Sequence, residues 1–137
     1  MHQALVVVVL LSVFNMDFQF NNLYGKVFTQ CSMGYEAFAH WFNIEVPLQP
    51  DILPQVQVAL TQLTSSTHSR NMRFIGREYS LFLNNDEAIV KANFLQHADD
   101  EMLDEDLHLY QDESMACCGL EDFQHLFQNY LDFIHDK

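Results

Sequence analysis

The chain has 137 residues, 49% apolar and 13% aromatic, with 19 acidic against 6 basic side chains and a formal charge of −13. Its length supports one domain, and its twelve Phe, five Tyr and single Trp supply enough apolar surface to argue against disorder. The charge argues against direct binding to a nucleic-acid backbone, which needs basic surface to displace counterions, and against docking on anionic membranes.

Residues 4–14 form an apolar run without charge. The run is shorter than the roughly 20 residues a spanning helix needs. It also lacks the preceding basic residues and the small-residue cleavage site of a secretory signal. Every Asp, Glu, Lys and Arg lies after position 15. The expectation is that Met16 starts the protein and that residues 1–15 lie upstream of it, with secretion as the alternative. Cys31, Cys117 and Cys118 are odd in number and two are adjacent, which does not suit a disulfide framework and points to a reducing compartment.

From Met16 onward, Asp17 to Phe20 alternates polar and apolar residues and suits a short strand. Asn21, Asn22 and Gly25 carry turn chemistry. Lys26 to Met33 alternates again, and Gly34 breaks it. In the segment Tyr35 to Val46, Phe38, Trp41, Phe42 and Glu45 fit a helical stripe only loosely. Pro47 and Pro50 close that element, and Asp51 stands at an N-cap position. Ile52, Leu53, Val56, Ala59, Leu60 and Leu63 then trace one face of a helix of period 3.6. Residues 64–67 read as a polar loop. Tyr79, Leu81 and Leu83, then Asn84-Asn85-Asp86, then Val90, Ala92 and Phe94 predict a hairpin, with Lys91 and Asn93 toward solvent. Residues 97–113 carry eight acids, a density that favours a solvated segment anchored by Met102, Leu103 and Leu107. Ser114 to Cys118 suits an edge strand. Leu120, Phe123, Leu126, Phe127, Tyr130, Leu131 and Ile134 predict a C-terminal amphipathic helix, with Glu121 and Asp122 at its positive end and His135 and Lys137 at its negative end. The expected fold is a single α+β domain over residues 16–137, a small antiparallel sheet with helices packed on one face.

Several strings resemble the YacL family of uncharacterised bacterial proteins. They are Met16-Asp17-Phe18, Ser32-Met33-Gly34 with Glu36, His40-Trp41-Phe42-Asn43 and Glu45-Val46. Further along come Gly76, Glu78-Tyr79, Val90 with Ala92-Asn93, Asp100-Glu101-Met102, Glu113-Ser114, and Cys118-Gly119 with Glu121-Asp122-Phe123. The resemblance spans residues 16–137, with Cys117 beside Cys118 as a departure. It implies a small bacterial cytoplasmic protein whose chain starts at Met16, and it transfers no catalytic residues.

No Gly-x-Ser-x-Gly elbow, phosphate-cradling glycine loop or Cys-x-x-Cys pair occurs, which counts against acyl transfer, nucleotide hydrolysis and thioredoxin-like chemistry. Glu36 and His40, with Asn43 one turn on, would share a helix face. They form a possible polar site for acid–base chemistry, against the plainer reading of local polar contacts beside Trp41 and Phe42. His97 and His108 with nearby carboxylates could serve a metal-assisted hydrolase or lyase. However, the calcium-loop pattern fails for want of its glycine and its terminal glutamate, so no metal or cofactor is expected. Arg70, Arg73 and Arg77 hold half of the basic residues, and their default role is pairing with the acidic segment. Cys117 and Cys118 would point to opposite sides of a strand.

The reading that results is a non-enzymatic acidic cytoplasmic protein without catalytic residues. Its interaction surface comprises Asp99, Asp100, Glu101, Asp104, Glu105 and Asp106, and its expected partner is a basic protein. Self-association through Phe127, Tyr130 and Phe133 of the last helix is a further possibility.

Overall fold

The computed structural model describes residues 16–65, 67–95 and 113–136. The elements run β1 (Phe18–Leu23), β2 (Lys26–Cys31), α1 (Glu36–His40), a π-helical turn (Trp41–Glu45), α2 (Val46–Leu48), α3 (Ile52–Ser65), β3 (Asn71–Phe74), β4 (Tyr79–Asn84), β5 (Glu87–Ala92), β6 (Met115–Gly119) and α4 (Leu120–His135). The strands form a two-stranded sheet β1-β2 and a four-stranded antiparallel sheet in the order β3-β4-β5-β6. The fold is α+β, as the hydrophobic patterns predict.

Sequence alternation places the inward face of the larger sheet. Leu81, Leu83, Ala88, Val90 and Ala116 are buried, and the register Leu81↔Val90↔Ala116 aligns three of them across β4, β5 and β6. The α1–π run packs on this sheet, and α4 packs on β5, β6 and β1. Every apolar residue predicted for the α4 stripe through Leu131 is buried, as are Ile52, Val56, Ala59, Leu60 and Leu63 of α3. An aromatic cluster joins the layers. The Phe42 ring centroid lies 4.5 Å from Tyr130, 6.2 Å from Phe127 and 6.4 Å from Phe123. Phe38 meets Phe123 at 5.6 Å, and Phe20 meets Tyr130 at 5.7 Å.

Three expectations need correction, and one strand has no counterpart among them. The first turn, expected over Asn21, Asn22 and Gly25, lies at Tyr24-Gly25 alone, because β1 continues through Asn21 and Asn22 to Leu23 in register with β2. The helix α3 extends into the supposed polar loop. The hydroxyls of Thr64 and Ser65 donate back to the carbonyls of Leu60 and Thr61, at 2.9 and 2.7 Å, instead of breaking the helix. The four-residue strand β3 is not predicted, although Met72 and Phe74 alternate with Asn71 and Arg73 and pack on the core. Phe127 and Tyr130 are buried and Phe133 packs on Phe20 at 5.5 Å, so the helix aromatics proposed for self-association are used internally.

The loose stripe around Phe38–Glu45 also has a physical cause. A π-helical turn inserts one residue into the helical period, which lets both Trp41 and Phe42 face inward and carries Glu45 with them.

Candidate functional site

The best-built polar cluster lies at the end of the larger sheet where the β3–β4 loop, residues 75–78, meets the π-helical turn. Glu45 is only 6% exposed, a rare place for a carboxylate unless its lone pairs are matched. Three backbone amides match them. Arg77 N donates to Oε1 at 2.8 Å, and Glu78 N and Tyr79 N donate to Oε2 at 2.8 and 2.9 Å. Consecutive N–H groups turned toward one anion make a nest, and here the anion is part of the chain.

The loop carbonyls are held from the other side by Asn93. Its Nδ2 donates to Gly76 O at 2.9 Å and to Arg77 O at 3.0 Å, and its backbone N–H donates to Glu78 O at 2.8 Å. Ser80 Oγ donates to Asn93 Oδ1 at 2.7 Å and accepts from Gly76 N at 3.2 Å. Asn93 therefore turns toward the loop, not toward solvent as alternation predicts. Gly76 sits where no side chain fits: a Cβ there would lie 2.0 Å from Tyr79 O and 2.6 Å from the Glu45 carboxyl.

Outside this clamp, His40 stacks on Tyr79 at 5.4 Å and 29°, and Tyr79 Oη donates to Glu113 O at 3.4 Å. Burial raises the Tyr79 phenol above its ordinary value, and the charges of Glu113 and Glu78 add to the effect. Arg77 and Glu78 are exposed on the loop.

Glu36, His40 and Asn43 each take a separate role. Glu36 Oε1 accepts from Gly34 N at 2.8 Å, fixing the turn before α1. Asn43 accepts from Thr29 N at 2.8 Å and donates to Thr29 O at 2.9 Å, fastening β2 to the helical run. His40 serves the Tyr79 stack. The carboxylates Asp99, Asp100, Glu101, Asp104, Glu105 and Asp106 lie outside the described residues, as do His97, His108 and the leader 1–15. Among the described residues, no three His, Cys, Asp or Glu side chains gather to hold a metal ion, and no helix is long and apolar enough to cross a membrane.

Arg70 donates to Gln62 Oε1 at 3.2 Å. Arg73 lies on β3 and Arg77 in the loop, so the two do not share a strand. The three thiols are free, with Cys117 exposed and Cys31 and Cys118 partly covered. Burial pushes Cys31 from 9.0 up to about 12 and raises Cys118 as well. Between those values the unfolded chain ionises first, so stability contributed by the protonated Cys31 thiol is lost as the pH rises from 9 toward 12. Replacing Cys31 with alanine is expected to move the alkaline unfolding midpoint upward, as followed by circular dichroism.

Sequence reasoning missed Glu45, Gly76 and Asn93 as one unit. The available signal was a charged residue in line with Phe38, Trp41 and Phe42 on a buried stripe, which needs buried donors opposite it. Four of the strings that carry the family resemblance, Glu45-Val46, Gly76, Glu78-Tyr79 and Ala92-Asn93, meet at this clamp.

These features define a small α+β domain in which, among the described residues, the most extensively hydrogen-bonded polar cluster holds its own backbone. The sequence profile described as "Uncharacterised protein family (UPF0231)" matches residues 16–134. A UPF0231 protein of Haemophilus influenzae is 45% identical over 119 residues, covering 87% of this chain and 99% of the relative. One of Pasteurella multocida is 43% identical over 119 residues, covering 87% and 98%. The UPF0231 protein YacL of Escherichia fergusonii is 38% identical over 123 residues, covering 89% and 100%. The chain belongs to the UPF0231 family. No solved structure matches it.

Proposed function

We propose that this protein is a non-enzymatic acidic interaction module of the bacterial cytoplasm that captures a basic protein through the segment 97–113, centred on Asp99, Asp100, Glu101, Asp104, Glu105 and Asp106. The observation that carries this reading is eight acids within seventeen residues, in the connection between two paired strands. Lys91 of β5 is the register partner of Met115 of β6. The chain therefore leaves and returns at one corner of the sheet, with Leu95 and Ser114 buried on either side. Tyr79, bonded to Glu113 and held by the clamp, stiffens that corner. Dense charge on a firm base favours fast, salt-sensitive capture of a cationic partner. Glu36, Asn43 and Glu45 spend hydrogen-bonding capacity on backbone groups, which supports a scaffold role for this polar set over proton transfer.

The test is affinity capture from bacterial lysate at low and raised salt, with reversal of Asp104, Glu105 and Asp106 to lysine as control. A basic protein that is retained at low salt, released by salt and absent from the control supports the reading. A partner indifferent to both, or one tight divalent-metal site that raises the Tm by several degrees, contradicts it; the metal result would favour a metal-assisted hydrolase or lyase using His97 and His108.

A further inference from the structure

We draw no further inference here: the strongest candidate, the outer edge of β6 (Met115–Gly119), which carries no charge and pairs only with β5 among the described strands, is an unpartnered strand edge, and nothing in the structure shows what covers it.

Discussion

Replacing Glu45 with alanine is expected to destabilise the protein by about 3 kcal/mol or more, counting roughly 1–3 kcal/mol for each buried donor left unmatched. The carboxylate accepts from Arg77, Glu78 and Tyr79 at once, and charge-assisted bonds are the stronger kind. Water can reach part of the loop and recover one of the three, which keeps the cost below the full sum. For a chain of this size the loss corresponds to a Tm drop of roughly 10 °C. Glu45→Gln should fall between, since one amide oxygen still accepts while its NH₂ group faces a donor. Chemical denaturation gives the comparison directly. An alanine variant within experimental error of wild type would show that the three amides find equivalent partners in water and that the clamp adds nothing.

Gly76→Ala should be comparably damaging for a different reason. A methyl group there meets Tyr79 O at 2.0 Å and the Glu45 carboxyl at 2.6 Å. A backbone oxygen cannot move aside as a flexible side chain can, so the loop must shift as a whole. That shift breaks the amide bonds to Glu45 and the carbonyl bonds to Asn93 together. Overpacking of this kind costs about 1–3 kcal/mol, and the lost hydrogen bonds add to it. Because both substitutions dismantle one unit, the Glu45→Ala/Gly76→Ala double variant is expected to lose less than the sum of the two. Additive losses in urea unfolding would mean that glycine and carboxylate act independently.

The two long helices were legible because burial repeats along them with an unbroken 3.6-residue period. The β4–β5 hairpin was legible because Leu81, Leu83 and Val90 alternate around a turn rich in Asn and Asp. The clamp was not. Its donors are backbone amides, which every sequence possesses and no side-chain pattern marks. Its acceptor reaches inward only because the π-helical turn adds a residue to the period. Asn93 misled for a related reason: alternation identifies the face of a strand, but the strand ends at Ala92 and the next side chain folds back over the loop. Glu36, His40 and Asn43 had helical spacing in their favour. Their separate contacts with Gly34, Tyr79 and Thr29 arise from tertiary neighbours that spacing does not encode. The acidic segment is the opposite case, since its charge density is fully visible in sequence and owes nothing to geometry.

The role proposed for it is tested most directly by the salt dependence of affinity for a basic protein recovered in the capture experiment. Binding would be measured from low to raised salt, for wild type and for the variant with Asp104, Glu105 and Asp106 reversed to lysine. Affinity that falls at least tenfold with salt, and is lost in the variant at every salt concentration, is the predicted result. Affinity unchanged by both salt and charge reversal would contradict the account and leave the acids with no part in recognition.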